Sequence, residues 1–208
     1  MEDLALNRTA YDLILDEIPE KSRVLDLGCG DGSLLEELSR LRRTDGYGVE
    51  ISPEGVSTCV ERGLYVYQGD VDDGLAGYRE NSFNYVILNQ TLHFTKRPTF
   101  VLAETMRICK NAIISFPNFA NYRIRLHLLL RGKLPKNRML PYDWHLSPNI
   151  HHLSIKDFRE YCALKNYPIK RESHFTTGPG QKSRIVKTAA NFYAEFAFFV
   201  LDGERFIS

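Results

Sequence analysis

The sequence lacks the patterns that mark secreted, zinc-binding and membrane-spanning proteins. Its cysteines form no CxxC pair and show no disulfide or zinc spacing; they are Cys29, Cys59, Cys109 and Cys162. The N-terminus has no basic segment followed by an apolar one, so we expect no signal peptide. No apolar run approaches the roughly 20 residues that a helix needs to span a bilayer. We therefore expect a protein of the reducing cytoplasm without a membrane segment.

A large excess of one charge is also missing. The 208 residues carry 27 Lys and Arg against 26 Asp and Glu, a formal net charge of +1. No global field therefore attracts nucleic acid or an anionic membrane, and polyanion binding would need a local patch. Hydrophobic residues make up 43% of the chain, and its length fits one domain, residues 1–208, with a substantial core.

Strand and helix patterns alternate through the first 116 residues. The predicted strands cover residues 23–28, 46–51, 64–70, 82–88 and 111–116. This alternation is typical of an α/β protein with a mainly parallel sheet. Toward the C-terminus, we predict a helix over 154–166, strands over 167–175 and 191–201, and a loop over 176–188.

Three serines predict helix starts. Ser33 with Glu36, and Ser154 with Asp157, have the spacing of a capping box. In a capping box, the side chain of each residue accepts a hydrogen bond from the main-chain N–H group of the other. Ser52 precedes a proline that would occupy the first helical position.

The stretch VLDLGCGDGSLL runs from the first strand through three glycines into a helix. Glycine lets the backbone approach a ligand closely and a helix N-terminus offers free N–H groups, so the turn predicts a nucleotide-like ligand. The spacing is GxGxG, whereas dinucleotide folds use GxGxxG. Asp26 and Asp31 make the turn acidic, which disfavours a pyrophosphate and favours a ligand with an ammonium or sulfonium group. Cys29 has no paired base in view, and we expect it to pack under the ligand.

Two further strand ends carry acidic residues. Glu50 ends the second strand twenty positions after Gly30, where its carboxylate can accept hydrogen bonds from ribose hydroxyls. Gly69 and Asp70 end the third strand, where a side-chain oxygen could meet an adenine amino group. Because ligands of open α/β sheets bind at the carboxyl ends of strands, these acids fit S-adenosylmethionine. Two alternatives stay open: acids that only cap helices, and an NAD-binding fold.

No catalytic base is evident. Methyl transfer from a sulfonium can proceed by orientation alone when the acceptor is already nucleophilic. Asn89, Gln90 and His93 follow the fourth strand, and we interpret His93 as an exposed loop residue or a helix-cap partner rather than a base. Adjacent side chains of an extended segment point to opposite faces, so His151 and His152 predict no metal site.

Residues 117–150 break the alternation and form a predicted insertion: a short helix around 121–131, then an irregular loop. The segment concentrates basic and aromatic side chains, namely Tyr122, Arg123, Arg125, Arg131, Lys133, Lys136, Arg138, Tyr142 and Trp144. We predict that it docks onto an acidic partner surface or caps the ligand pocket. A solvated helix that covers the sheet edge and an RNA-binding patch are the alternatives.

The motifs VLDLGCGDG, YGVEIS and VYQGD, in that order, make the first 116 residues resemble the class I S-adenosylmethionine-dependent methyltransferases. The resemblance implies a Rossmann-like fold with a mostly parallel seven-stranded sheet, helices on both faces and a reversed last strand. It implies S-adenosylmethionine or S-adenosylhomocysteine as ligand, with the ribose at Glu50, the adenine at Asp70 and the sulfonium beside Asn89. The full set of implied binding residues is Asp26, Gly28, Cys29, Gly30, Asp31, Glu50, Ile51, Gly69, Asp70, Val71 and Asn89.

A narrower resemblance, to the MetW family of methionine biosynthesis proteins, covers nearly the whole chain. Its most specific segments are SFPNFANYRIRLHLLLRGKLP and LPYDWHLSPNIHHLSIKDF. The resemblance implies a protein of methionine biosynthesis that acts as partner or activator of a homoserine O-acyltransferase. A methyltransferase acting on a small molecule is the alternative, and an RNA methyltransferase is a distant one.

Overall fold

The computed structural model of the chain describes residues 2–136, 140, 143, 145–147, 150–177 and 183–204, with side chains from residue 8 onward except at Thr177. Arg138, Tyr142 and Trp144, which belong to the predicted basic and aromatic cluster, lie outside the described residues. The elements of the first half are α1 (Glu2–Glu17), β1 (Arg23–Leu27), α2 (Ser33–Arg42), β2 (Asp45–Glu50), α3 (Pro53–Glu61), β3 (Tyr65–Gln68), β4 (Phe83–Asn89), α4 (Pro98–Ile108) and β5 (Cys109–Pro117).

The second half begins with the predicted insertion. Its helix, predicted around 121–131, is α5 (Tyr122–Arg131), and the described residues between 132 and 153 form no helix or strand. The elements that follow are α6 (Ile155–Lys165), β6 (Ile169–Thr177), β7 (Ser183–Ile185), α7 (Ala190–Tyr193) and β8 (Phe196–Asp202).

The described strands form one eight-stranded sheet in the order β3-β2-β1-β4-β5-β8-β6-β7. The first five of these run parallel, and β8 runs antiparallel to both β5 and β6, so the predicted reversal of the last strand is confirmed. The predicted number of seven strands is wrong, because Ser183–Ile185 pairs with the end of β6. The predicted loop over 176–188 therefore contains strand residues on both sides of 178–182, which lie outside the described residues.

Helices cover both faces of the sheet, as predicted. Side chains alternate between the two faces along a strand. On one face, Leu25 and Val86 belong to a buried cluster that includes residues of α4 and α6. On the other face, Val24 and Ile87 belong to a cluster that includes residues of α1 and α2. No helix of the described chain is long and apolar enough to cross a membrane.

Two of the three predicted helix starts are confirmed. Ser154 and Asp157 form the reciprocal capping box of α6, and the Ser52 hydroxyl accepts a hydrogen bond from the main chain of α3. The capping box predicted for Ser33 and Glu36 is wrong, because Gly32 is the residue before α2. The Glu36 carboxylate instead pairs with the Arg62 guanidinium at the end of α3.

The last predicted strand begins later than residue 191, because α7 occupies Ala190–Tyr193 and β8 starts at Phe196. Two fully buried asparagines, Asn118 and Asn121, account for this difference. Their side-chain amides donate hydrogen bonds of 2.9–3.2 Å to the main-chain carbonyl groups of Asn191, Tyr193 and Ala194. These bonds hold the chain before β8 in a turn and fix the start of the insertion against it.

Candidate cofactor site

The carboxyl ends of β1, β2, β3 and β4 meet at one end of the sheet and form two neighbouring clefts that share Gly28. We call the first the polar cleft; its volume is about 240 Å³, and the predicted residues that line it are Asp26, Gly28, Cys29, Gly30, Asp31 and Asn89. We call the second the apolar cleft; its volume is about 180 Å³, and the predicted residues that line it are Gly28, Ile51, Gly69, Asp70 and Val71. Together they reach the size of small-molecule sites, roughly 300–1,000 Å³.

The glycine turn leaves an opening at one of its positions. Gly28 and Gly30 have left-handed φ values of 77° and 57°, which favour glycine. A Cβ atom at Gly28 would lie 2.7 Å from the side chain of Thr91, so this position is closed. A Cβ atom at Gly30 would have no heavy atom within 4 Å, so the backbone here faces open space in the polar cleft.

Glu50 lines neither cleft but holds the turn in place. One carboxylate oxygen accepts from the N–H of Gly30 at 2.8 Å, and the other accepts from the N–H of Ser52 at 2.8 Å. The side chain is buried, yet each carboxylate oxygen can accept a further hydrogen bond. Glu50 therefore couples the position of the turn to the end of β2.

Asp26 is a buried acid with an unsatisfied oxygen. The residue is 2% exposed, and its Oδ1 atom has no hydrogen-bond partner among the described residues. Burial, reinforced by the negative charge of Glu50, raises the pKa of Asp26 to about 7. A buried carboxylate without a partner is costly, so this atom fits a ligand that brings a positive charge or a hydrogen-bond donor.

Asp31, by contrast, is already satisfied by its own surroundings. Its carboxylate accepts hydrogen bonds from the N–H and hydroxyl of Ser33 and pairs with Arg62 at 3.0 Å. Burial acts in the opposite direction, but these hydrogen bonds and the guanidinium hold the pKa of Asp31 below its ordinary value. The acidity of the polar cleft therefore comes mainly from Asp26.

Asp70 caps a short helix, which is one of the two roles that the sequence allowed for acids at strand ends. Its Oδ1 accepts from the N–H of Asp72 at 2.9 Å, at the start of a short 3-10 helix. Its Oδ2 lies 3.4 Å from the exposed ammonium of Lys96. The apolar cleft beside it is bordered by Ile51 and Phe94, which are 62% and 44% exposed, so a flat apolar ligand could cover both.

Asn89 borders the polar cleft at the end of β4. Its side-chain oxygen accepts from the Ser115 hydroxyl at 2.6 Å, which fixes the amide and leaves its NH₂ group as a donor. Gln90 follows in a left-handed conformation with φ of 58° and also lines the cleft.

Cys29 is buried in the turn, with its Sγ atom 4.0 Å from that of Cys59. Burial raises the pKa of the Cys29 thiol well above its ordinary range, so the reactive thiolate is not populated at neutral pH. Its position fits packing rather than nucleophilic chemistry.

His93 is buried, so its interpretation as an exposed residue or a cap partner is wrong. The side chain is 4% exposed, its ring centroid lies 4.2 Å from that of Phe94, and it lines neither cleft. Burial, and then the neighbouring His151, lower the pKa of His93 to about 4. The residue is therefore neutral at pH 7. Among the described residues, no group of three His, Cys, Asp or Glu side chains could hold a metal ion.

Several lining residues carry no signal in the sequence. Tyr11 reaches the polar cleft from α1 and shares a 3.0 Å hydrogen bond with the Ser33 hydroxyl. Thr91 and Lys96 reach the apolar cleft from the turns after β4. Only the folded sheet brings these residues next to the glycine turn.

A family model described as "Methionine biosynthesis protein MetW" matches residues 8–201. The chain belongs to the MetW family. A relative from Rhodopirellula baltica, "Bifunctional methionine biosynthesis protein MetXA/MetW", is 36% identical over 189 residues, which cover 86% of this chain and 30% of the relative. An uncharacterized methyltransferase of Schizosaccharomyces pombe is 36% identical over 83 residues, 38% of this chain and 31% of the relative. The MetW-family chain thus spans about a third of the curated relatives it matches.

Solved structures show the same fold at low identity. A protein from Thermotoga maritima described as an S-adenosylmethionine-dependent methyltransferase, possible histamine N-methyltransferase, superposes with a TM-score of 0.67 at 16% identity, covering 93% of this chain and 87% of that chain. An S-adenosylmethionine-dependent methyltransferase from Mesorhizobium loti superposes with a TM-score of 0.64 at 13% identity, covering 93% and 97%. The MetW-family chain therefore has the Rossmann-like methyltransferase fold.

Proposed function

We propose that the MetW-family chain binds S-adenosylmethionine or S-adenosylhomocysteine across the polar and apolar clefts. The observation that carries this proposal is the unpartnered Asp26 oxygen beside the open backbone of Gly30. An amino-acid ammonium in the polar cleft would satisfy Asp26. Glu50 lines neither cleft but bonds to Gly30 of the polar cleft at 2.8 Å, so a ribose bound beside Gly30 would use the remaining acceptor capacity of the Glu50 carboxylate. The adenine would lie in the apolar cleft between Ile51 and Phe94, with Asp70 at its edge.

The charge of the polar cleft argues against a pyrophosphate ligand such as NAD. None of the described residues that line this cleft is Lys or Arg, and two of them are aspartates. A pyrophosphate there would face the buried Asp26 without a compensating cation, whereas an ammonium or sulfonium would be attracted.

A titration by calorimetry tests the ligand assignment. S-adenosylmethionine and S-adenosylhomocysteine should both bind one site per chain, and NAD should not bind. Because both ligands carry the amino-acid and adenosine ends, loss of the sulfonium charge alone should change the affinity less than removal of the amino group. Binding of NAD with an affinity equal to that of S-adenosylmethionine would refute the assignment.

We further propose that the chain acts as a partner or activator of a homoserine O-acyltransferase. In support, the name of the Rhodopirellula baltica relative describes a single bifunctional protein, MetXA/MetW. The MetW-family chain matches 30% of the length of that relative. A ligand made from methionine could then report on the end product through linkage between the two binding events.

The insertion offers a surface for such a partner. Helix α5 buries only Ile124 among its described residues, whereas four of its leucines are exposed. Leu126, Leu128, Leu129 and Leu130 are 49%, 40%, 81% and 72% exposed. Exposed apolar residues that form a patch mark interaction sites, and the basic residues beyond the helix fit an acidic rim on the partner. Leu126, Leu129 and Leu130 lie on one side of the helix, at three- and four-residue spacing, and we call these three leucines the α5 leucine face.

Sedimentation of the two proteins together tests the docking surface. Leu129→Glu and Leu130→Glu place charges in the α5 leucine face and should abolish co-sedimentation with the acyltransferase of the same organism. Leu164→Glu is the matched control, because Leu164 is a 75% exposed leucine on α6. Loss of the complex in the control variant, or its retention in both α5 variants, would exclude this surface as the interface.

Methyl transfer to a small molecule is the second candidate function. The open backbone at Gly30 and the donor NH₂ of Asn89 leave room for an acceptor beside a bound sulfonium. Because His93 lies outside both clefts, it is not placed to act as the base for such an acceptor. Transfer of a labelled methyl group to a metabolite extract would support this function. An RNA methyltransferase is less favoured, since Arg123 of the basic insertion is paired with Glu195.

A further inference from the structure

A third cleft lies at the other edge of the sheet. It has a volume of about 640 Å³ and is bordered by α5, α6, β6 and the chain from β7 to α7. In the strand order, β6 is four positions from β1. Because neighbouring strands lie about 4.8 Å apart, the two strands are separated by roughly 19 Å. This edge cleft shares no residue with the polar or apolar cleft, so it is a separate site.

The edge cleft is positively charged. Three basic side chains line it, Arg125, Arg159 and Lys187, against a single acid, Glu172. Arg159 and Glu172 form two hydrogen bonds of 2.9 and 2.6 Å and so largely neutralise each other. Neither Arg125 nor Lys187 pairs with a carboxylate among the described residues, and both are exposed to the cleft. Two uncompensated positive charges in a concave site attract an anion.

A buried imidazole adds an unsatisfied group to the same wall. His174 lines the edge cleft and is 5% exposed. Its Nε2 atom lies 3.3 Å from the Arg159 guanidinium and 3.7 Å from the Glu172 carboxylate. Nδ1 is buried and has no hydrogen-bond partner in the described part of the chain. Burial lowers the pKa of His174, and Arg159 adds to this effect, while the Glu172 carboxylate acts in the opposite direction.

The cleft also has an apolar side. Ile185 at the end of β7 is 64% exposed, and Phe192 in α7 is 41% exposed. The Arg125 guanidinium lies 5.6 Å from the centroid of the Phe192 ring, so the cationic and apolar surfaces are adjacent. A ligand that touched both would need a charged head and a short hydrocarbon part.

We propose that the edge cleft binds a small organic anion, a carboxylate or phosphate ester with a short hydrocarbon part. Its oxygens bond to Arg125, Arg159 and Lys187, and its hydrocarbon part contacts Ile185 and Phe192. The site goes beyond the proposed cofactor and partner functions, because it lies outside both cofactor clefts and apart from the α5 leucine face. At roughly 19 Å from β1, it is too far away to present a methyl acceptor to the glycine turn.

Titrations of the full chain, followed by amide NMR shifts, test this site with four probes. Hexyl phosphate and hexanoate should produce saturable shifts around residues 173–174 and 185–187, and the tighter of the two identifies the head group. Inorganic phosphate should bind more weakly than hexyl phosphate, and hexanol should produce no saturable shift. Hexanol binding as tightly as the anions, or an absence of saturable shifts with both anions at millimolar concentration, would overturn the proposal.

Substitutions separate this site from general anion binding. Lys187→Gln and Arg125→Gln should each weaken binding of the tighter anion about tenfold, the effect of losing one charge-assisted hydrogen bond. Arg131→Gln is the matched control, because it removes the same charge from α5 at a residue outside the edge cleft. Lys187 is exposed and lies outside the helices and strands, so its variant keeps the fold. If Lys187→Gln, Arg125→Gln and Arg131→Gln all bound the tighter anion with equal affinity, the proposal would be overturned.

Discussion

Replacement of Asp26 by asparagine should have opposite effects on stability and on ligand binding. The carboxyl group is buried at the end of β1, and its Oδ1 atom has no partner within the described structure. Without ligand, the negative charge therefore costs stability. With a ligand ammonium beside it, the same charge contributes affinity. Asp26→Asn removes the charge with almost no change in side-chain volume.

The stability effect depends on pH in a defined direction. The unfolded carboxyl titrates near 3.8 and the folded one at about 7. Between these values the folded state binds more protons than the unfolded state, so stability falls as the pH rises through this window. At about 1.4 kcal/mol per pH unit, ionised Asp26 costs on the order of 4 kcal/mol above pH 7. The amide is itself a buried polar group that costs roughly 1–3 kcal/mol, so Asp26→Asn should gain about 1–3 kcal/mol at pH 8.

Urea unfolding at pH 5 and pH 8 and calorimetry with S-adenosylmethionine measure the two effects. The gain should shrink or reverse at pH 5, where the wild-type carboxyl is protonated in the folded state. Loss of a hydrogen bond to a charged group, roughly 1.5–3 kcal/mol, should weaken binding by about 10- to 100-fold. Asp31→Asn is the control for stability, because Asp31 is exposed and paired with Arg62, and its effect should stay within about 1 kcal/mol. Lower stability of Asp26→Asn at pH 8 together with unchanged affinity would refute the reasoning.

Four further substitutions test the site and the insertion. Gly30→Ala should cost about 1 kcal/mol of stability because its backbone is left-handed, yet it should abolish ligand binding. Gly28→Ala should cost about 2–3 kcal/mol because its Cβ atom meets Thr91. Equal melting temperatures of the two variants would contradict this. Glu50→Ala frees two backbone N–H groups, so calorimetry should show at least tenfold weaker binding and urea unfolding a loss of about 1–3 kcal/mol; unchanged affinity would exclude the ribose assignment. Asn121→Ala should lower the free energy of unfolding by about 2 kcal/mol, because two carbonyl groups lose a buried donor; an unchanged urea midpoint would show that these bonds do not hold the insertion.

The strand ends and the glycine turn could be predicted because their signals are local. Asp26, Glu50 and Asp70 each lie at or next to the end of a short apolar segment. Once these segments are taken as parallel strands of one sheet, the three acids become neighbours in space. The reversed last strand followed from the family resemblance. Helix caps at Ser52 and Ser154 were predictable for the same reason, since partner and cap lie within three residues.

The failures concern contacts between residues that are distant in the sequence. The partner of Asp31 and Glu36 is Arg62, a residue that the local capping pattern does not contain. The burial of His93 depends on Phe119 and on the segment around His151, which reach it only in the folded chain. The edge strand β7 has three residues and is partly exposed, so it lacks the hydrophobic alternation by which strands are predicted.

The acylation rate of the homoserine O-acyltransferase from the same organism tests the central claim most directly. The rate should be measured with increasing amounts of this chain, with and without S-adenosylmethionine, and with the Leu129→Glu and Leu164→Glu variants. A partner function predicts a saturable change in rate that Leu129→Glu abolishes and Leu164→Glu retains, with a midpoint that the ligand shifts. A rate that stays constant at a large excess of the chain, with or without ligand, would contradict the account.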